Sequence, residues 1–141
     1  MDSKISVAQY NQLSSTQMPF AKSMGLELDS ITEAGVLMRA HYSKDFLRPG
    51  GTISGPVMMA LADAAMYALV LSRIGLVELA VTTNLSINFL RKPLPGDLLA
   101  EARMLKLGKR LAVGEVHLYS DGESVAKSVA HVTATYSIPP Q

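Results

Sequence analysis

The chain of 141 residues contains no cysteine and no tryptophan. The absence of cysteine excludes disulfide bonds, a thiol nucleophile and thiolate metal ligands. Aromatic residues make up only 6% of the chain although 48% of it is hydrophobic, so a core must be built mainly from Val, Leu, Ile, Ala and Met. Such a core suits a helix packed on a sheet. A chain of this length can bury about two-thirds of its unfolded surface, and we expect one domain over residues 1–141.

The chain also carries little net charge. Thirteen basic and twelve acidic residues give a formal net charge of +1 with histidine neutral, and the basic residues are scattered. A nucleic-acid partner is therefore not expected. The first residues lack the basic and apolar regions of a secretory signal, so we expect a cytoplasmic protein with no membrane partner.

A long apolar run predicts the central element of the fold. Over residues 57–71 every residue except Asp63 is apolar, counting tyrosine, and many are good helix formers. Because the run is shorter than the ~20 residues of a membrane span, we expect a helix enclosed by protein. Pro56 suits the first helical position, Gly55 precedes it as the cap, and Gly75 ends the helix.

Most of the remaining chain is predicted to form strands and turns. Val81, Thr83, Leu85, Ile87 and Phe89 alternate with polar residues, a period of two that places one face of a strand on a core. The other predicted elements are a helical flank over residues 1–24, strands near 35–41, 98–107, 110–119 and 124–137, and turns at 48–51, 92–96, 108–109 and 121–122. One long buried helix followed by an antiparallel meander predicts an α+β fold in which the sheet wraps the helix.

Asp63 is the first candidate for chemistry. It is the only charged residue between Arg48 and Arg73, and a lone carboxylate in an apolar helix is costly unless it is hydrogen-bonded, paired or protonated. An enclosed carboxylate is also a better base for taking a proton from water. A structural aspartate that accepts hydrogen bonds from Tyr67 or from a strand hydroxyl explains the same pattern, and the residues alone leave both interpretations open.

The beginning of the same helix is the second candidate. Its free N–H groups and the helix dipole favour negative charge that develops on a carbonyl oxygen, and Gly55 allows close approach to the backbone. Taken alone, the segment from Thr52 to Pro56 is explained better as a well-capped helix entry. Gly55 and Asp63 are eight positions apart, about 12 Å along one helix, and cannot hold the same carbonyl. Two helices running antiparallel across a two-fold axis would bring them together, which predicts a site shared by two chains.

Three segments resemble the hotdog thioesterases of the phenylacetate-pathway type. They are Gly51-Thr52-Ile53-Ser54-Gly55-Pro56, then Ala60-Leu61-Ala62-Asp63, then residues 81–93 with the sequence VTTNLSINFLRKP. In that family a Gly-Thr-x-His-Gly-Gly-like entry precedes an Ala-x-Ala-Asp helix. The resemblance, over about residues 24–136, implies a hotdog fold, an acyl-CoA substrate, a homodimer or a dimer-of-dimers homotetramer, and no cofactor or metal.

The resemblance also implies roles for individual residues. Asp63 matches the family carboxylate, which acts as general base or nucleophile, and Gly55 matches the amide that polarises the thioester carbonyl. Thr82 matches a position whose hydroxyl helps to hold water, whereas Thr83 is expected to pack in the core. The other residues expected near the substrate are Thr83 and Tyr67 beside the carboxylate and Arg91, Lys109 and Arg110 toward coenzyme A.

Three positions depart from the family pattern, and two of them, Ser54 and Arg48, bear on the chemistry. Ser54 replaces the usual histidine and Arg48 replaces the usual Asn or Gln, while Pro56 replaces the second glycine. Serine can hydrogen-bond but does not take up a proton as imidazole does. Arg48 has three possible roles: to stabilise an oxyanion, to bind a carboxylated acyl group, or to pair with Asp63 across the interface.

Other functions fit the residues less well. A non-catalytic acyl-CoA binding protein agrees with the two departures, whereas a hotdog hydratase or dehydratase normally needs a histidine at the helix. The histidines, His41, His117 and His131, lie in separate predicted strands with no ligand-like spacing, so no metal site is expected. Ser54 also lacks the nucleophile elbow of a serine hydrolase.

Overall fold

The computed structural model describes residues 2–141. The helices are α1 (Val7–Gln17), α2 (Pro19–Ser23) and α3 (Gly55–Ile74), and the strands are β1 (Leu26–Ile31), β2 (Val36–Ala40), β3 (Leu47–Arg48), β4 (Thr52–Ile53), β5 (Val81–Phe89), β6 (Leu98–Leu107), β7 (Leu111–Ser120) and β8 (Ala130–Ser137). Six of these strands form one antiparallel sheet in the order β1-β2-β6-β7-β8-β5, and β3 and β4 pair separately.

The long helix α3 is the centre of the fold. It contacts six strands, from β1 and β2 at one edge of the sheet to β5 at the other. Leu61, Ala65, Met66 and Leu69 are fully buried on it, and the many alanines allow the sheet to approach the helix closely. A sheet wrapped around one buried helix is the hotdog fold, as the sequence predicted.

The bounds of α3 differ from the prediction. Ser54 is the N-cap, Gly55 is the first helical residue and Pro56 the second, while Gly75 ends the helix at Ile74 with a φ of 95°. At 20 residues, α3 is long and apolar enough to cross a membrane by length and composition, but 72% of its apolar 18-residue window is buried inside the domain. Burial against the sheet thus accounts for the apolar run.

Two features of the sheet were not predicted. β1 precedes the first expected strand and pairs antiparallel with β2. Two adjacent polar residues of β1, Asp29 and Ser30, lie at a bulge that breaks the alternation on which a strand prediction depends. Near the other end, residues Val125–Lys127 form a turn of 3₁₀ helix, so β8 begins only at Ala130.

The edge strand β5 contains a bulge that decides which residues face the helix. The register with β8 shifts between Thr82 and Asn84. As a result Thr82 points toward α3, whereas Thr83 is exposed and its hydroxyl donates to the Thr135 carbonyl at 3.2 Å. The expected core position of Thr83 is therefore wrong, because strict alternation does not anticipate an inserted residue.

Gly114 provides a test of how closely helix and sheet are packed. A Cβ at this position of β7 would lie 2.6 Å from Met66 Sδ and 3.0 Å from the Arg103 carbonyl oxygen. We expect Gly114→Ala to lower the free energy of unfolding by about 1–3 kcal/mol through overpacking. Gly108→Ala, whose Cβ would meet nothing closer than 3.4 Å, is the control, and we expect it to stay within about 0.5 kcal/mol of wild type. Equal urea midpoints for the two variants would contradict this packing.

Candidate active site

Asp63 lies in the third turn of α3, where two hydroxyl groups hold its carboxylate. The Thr82 hydroxyl donates to Asp63 Oδ1 at 2.6 Å, and the Tyr136 hydroxyl donates to the same oxygen at 2.9 Å. The Tyr136 hydroxyl also lies 3.1 Å from the Asp63 carbonyl oxygen. Because both side-chain donors use Oδ1, no hydrogen bond from residues 2–141 occupies Oδ2, and that oxygen is available to a ligand.

A group of tyrosines encloses this side of the carboxylate. The Tyr136 and Tyr67 rings stack with centroids 6.0 Å apart, and Tyr10 meets Tyr67 edge to face at 6.2 Å. Burial raises the pKa of Tyr136 far above its ordinary value, and the negative charge of Asp63 adds to this shift. The Tyr136 hydroxyl therefore stays protonated near neutral pH and acts as a fixed donor to Asp63.

Asp63 lines a cleft of about 300 Å³ between the end of the N-terminal helices and the start of β5. Its lining is mostly apolar and includes Phe20, Ala60, Tyr67 and Val81. Phe20 and Val81 are exposed, so the cleft is open on that side. An apolar cleft with one charged oxygen suits a ligand that carries a reacting polar group on a hydrocarbon or aromatic body.

The beginning of α3 lines a second cleft, of about 380 Å³. The ring of Phe89 covers Gly55 so closely that a Cβ there would lie 3.2 Å from it. The first N–H groups of a helix have no acceptor within the helix, and Pro56 has no N–H to offer. The Ser54 N–H donates to the Phe46 carbonyl at 2.9 Å and the Met58 N–H to the Ser54 carbonyl. The N–H groups of Gly55 and Val57 remain as donors at the positive end of the helix dipole, and Val57 is the buried residue of the two.

The two clefts are separate within one chain. They share no lining residue, and eight residues of helix, about 12 Å, separate Gly55 from Asp63. One carbonyl carbon cannot be reached by both groups of the same chain. The structure therefore agrees with the sequence that Gly55 and Asp63 can act on the same carbonyl group only if they come from two different chains.

The other predicted site residues are divided between the cleft of Asp63, the cleft of Gly55 and the surface outside both clefts. Tyr67 and Thr82 lie in the cleft of Asp63, and the Tyr67 hydroxyl donates to the Glu78 carbonyl at 2.9 Å. Arg48 and Arg91 line the cleft of Gly55, so within one chain Arg48 does not join Asp63. The side chain of Ser54 makes no capping hydrogen bond. Lys109 and Arg110 are exposed at the β6–β7 turn, outside both clefts.

Tyr136 and Tyr10 are members of the site that sequence reasoning missed. Tyr136 reaches Asp63 because β8 pairs with β5 in a register that places it opposite Thr82. Tyr10 reaches α3 from the N-terminal flank, where its hydroxyl lies 3.5 Å from the Ala64 carbonyl oxygen. No sequence motif marks either residue, since both contacts depend on pairings between distant segments.

Comparison with known proteins assigns the family. The pattern of the "Thioesterase superfamily" matches residues 50–127, from the turn before α3 to the 3₁₀ turn that follows β7. The chain belongs to the thioesterase superfamily. This membership confirms the resemblance found in the sequence and supports thioester hydrolysis as the general class of reaction.

The comparison also finds individual proteins that are similar to this chain in sequence or in fold. The solved "putative thioesterase" of Silicibacter sp. TM1040 is 44% identical, with a TM-score of 0.88 over 99% of this chain and 96% of that chain. The "Putative esterase" of Saccharolobus solfataricus is 30% identical over 85% of this chain and 78% of its own length. The PaaI protein from the phenylacetic acid degradation operon of E. coli, at 21% identity and a TM-score of 0.81 over 95% of this chain and 94% of its own, shares the fold.

Tyr136→Phe tests the contact between the tyrosine and the carboxylate. A hydrogen bond to a charged group contributes about 1.5–3 kcal/mol, so we expect a fall of roughly tenfold in kcat for thioester hydrolysis, with KM almost unchanged. The measurement is steady-state kinetics of thiol release. Tyr119→Phe, which removes a tyrosine hydroxyl 3.5 Å from a carboxylate oxygen of Glu101 on the outer face of the sheet, is the matched control. A rise in KM at constant kcat would contradict a positioning role for Tyr136.

Proposed function

We propose that this thioesterase hydrolyses acyl-CoA thioesters to a free acid and coenzyme A. The observation that carries the proposal is the state of Asp63, which lines an open, mostly apolar cleft. Two hydroxyls hold its Oδ1, while no hydrogen bond from residues 2–141 occupies its Oδ2. A carboxylate with one fixed and one free oxygen can act on a ligand without losing its orientation. A purely structural aspartate has no need of a cleft on its free side.

In the proposed reaction, Asp63 Oδ2 takes a proton from water as the water oxygen attacks the thioester carbonyl carbon. The Gly55 N–H of the other chain donates to the oxyanion of the tetrahedral intermediate. The carbon–sulfur bond then breaks, the thiolate of coenzyme A leaves with the bonding electrons, and the proton passes from Asp63 to that sulfur. Direct attack by Oδ2 on the carbonyl carbon, followed by hydrolysis of the resulting anhydride, would use the same free oxygen.

A homodimer formed along β5 would bring the two halves of the site together. β5 is an edge strand of nine residues, paired on one side only, and long bare edges are normally paired or covered in proteins. Exposed apolar side chains surround it, among them Met59, Val81, Phe89 and Leu90, with exposures of 42–59%. Antiparallel pairing of two β5 strands about a two-fold axis would set the start of one α3 beside the middle of the other.

Basic residues near the cleft of Gly55 support coenzyme A as the leaving group. Arg48, Arg91 and Lys92 are exposed and line this cleft, and the phosphates of coenzyme A need cations of this kind. Lys109 and Arg110 lie at the other end of β5, because Leu111 and Val81 both pair with Ser137. In the proposed dimer they therefore approach the Arg91 end of the partner strand, which adds to the positive charge there.

Thiol release from a panel of acyl-CoAs tests this function. We expect turnover of at least one member among short-chain, long-chain and aromatic acyl-CoAs, with free coenzyme A detected by a thiol reagent. Saturable binding across the panel with no thiol release would instead support the non-catalytic acyl-CoA binding protein. A hydratase is disfavoured because, among residues 2–141, no histidine lines either cleft.

A further inference from the structure

Three potential metal ligands meet on the outer face of the sheet, away from α3. Glu115 and His117 are two residues apart on β7 and therefore point to the same side. His131 on β8 is the direct cross-strand partner of His117. The two imidazole rings lie with centroids 4.7 Å apart, so the sheet itself brings together residues that are separated by 14 positions in the sequence.

The ligand atoms are already close to the spacing that a metal ion requires. His131 Nε2 lies 3.0 Å from Glu115 Oε2, and one ligand atom from each of the three side chains lies within 4.8 Å of the others. In a tetrahedral site with metal–ligand bonds of about 2.0–2.2 Å, ligand atoms are about 3.3–3.6 Å apart. The three ligand atoms are therefore at most about 1.5 Å too far apart, a difference that side-chain rotations can close because all three side chains are only half-buried.

Neighbouring side chains orient the cluster and set the charge around it. The Nδ1 atom of His117 lies 3.4 Å from the Ser128 hydroxyl, a contact that orients the ring and leaves Nε2 available. On β6, Glu101 is the cross-strand partner of His117 and Arg103 that of Glu115, so one acidic and one basic residue flank the cluster.

We propose that Glu115, His117 and His131 bind one divalent transition-metal ion of the Zn²⁺ type. Two imidazoles and one carboxylate form a ligand set that such ions prefer, with water in the remaining position. Binding displaces the hydrogen bond between His131 and Glu115, and the ion then joins β7 to β8 on the face opposite Asp63. The site is separate from the proposed hydrolysis, and the expectation from the sequence that no metal site exists is replaced by this proposal.

Titration of metal-free protein tests the site directly. After treatment with a chelator and its removal, we expect calorimetry to show one Zn²⁺ bound per chain, and Co²⁺ to give the visible absorption bands of a low-symmetry site. His117→Ala and His131→Ala should each weaken Zn²⁺ binding by more than about 100-fold, since even an outer-shell partner contributes about 10–100-fold.

His41→Ala is the matched control. His41 also contacts carboxylates, with its Nε2 2.9 Å from Glu27 Oε1, but it lies outside the three-residue cluster, so this variant should bind Zn²⁺ as wild type does. Glu115→Gln removes the carboxylate with little change of shape. This variant tests the site even if an alanine variant fails to fold. Absence of saturable binding by wild type, or wild-type affinity in His131→Ala or Glu115→Gln, would overturn the proposal. Asp63→Asn should leave Zn²⁺ binding unchanged, which separates this test from that of hydrolysis.

Discussion

Asp63→Asn should lower kcat for acyl-CoA hydrolysis by about 10³-fold, since a positioned general base contributes about 10²–10⁴-fold to rate. The amide oxygen of asparagine can still accept the hydrogen bonds that Thr82 and Tyr136 donate to Oδ1. The substitution therefore removes the free basic oxygen without removing the contacts that hold the side chain. The measurement is the initial rate of thiol release at saturating substrate.

Asp121→Asn is the control for this result. Asp121 makes a half-exposed ion pair with Arg39 in the turn after β7, and exposed pairs of this kind contribute only about 0–1 kcal/mol. This variant should keep wild-type kcat. Asp63→Asn should also unfold at nearly the wild-type temperature, and activity within about tenfold of wild type in a folded Asp63→Asn protein would remove this carboxylate from the chemical step.

Gly55→Pro should lower kcat by about 10²–10³-fold, the usual effect of losing one oxyanion donor. Proline removes the backbone N–H but is tolerated in the first turn of a helix, and Ser54 before it already has an extended backbone with ψ of 153°. The expected loss is in kcat rather than in KM, because the donor acts on charge that develops in the transition state.

Gly55→Ala separates the loss of the N–H from the addition of a side chain. Its Cβ would approach the Phe89 ring to 3.2 Å, and the half-exposed ring can move to accommodate it. We expect Gly55→Ala to keep kcat within about tenfold of wild type, well short of the effect of losing an oxyanion donor. If both variants lose activity equally, the cause is the added side chain and not the missing donor.

The sequence was sufficient for those features that depend on local patterns. The apolar run around Asp63 predicted the central helix, and the lone charge within that run identified the carboxylate. Period-two alternation and glycine turns located the long strands of the meander. These patterns can be recognised in the sequence because burial against one sheet imposes the same composition and spacing wherever such a helix forms.

The features that were missed depend on register between distant segments. The bulge in β5 turns Thr82 rather than Thr83 toward the helix, and pairing with β8 brings Tyr136 to Asp63. The same kind of pairing sets His117 opposite His131. A single sequence does not specify cross-strand partners, because many registers satisfy the same alternation.

A mixed dimer tests most directly whether each site is built from two chains. Co-expressed Asp63→Asn and Gly55→Pro chains with different affinity tags allow purification of the heterodimer, which contains one site with both groups intact and one with neither. We expect this heterodimer to recover about half of the wild-type rate, far above either parent, because one of its two sites is complete. A heterodimer no more active than the two parent proteins would contradict a site shared across the dimer.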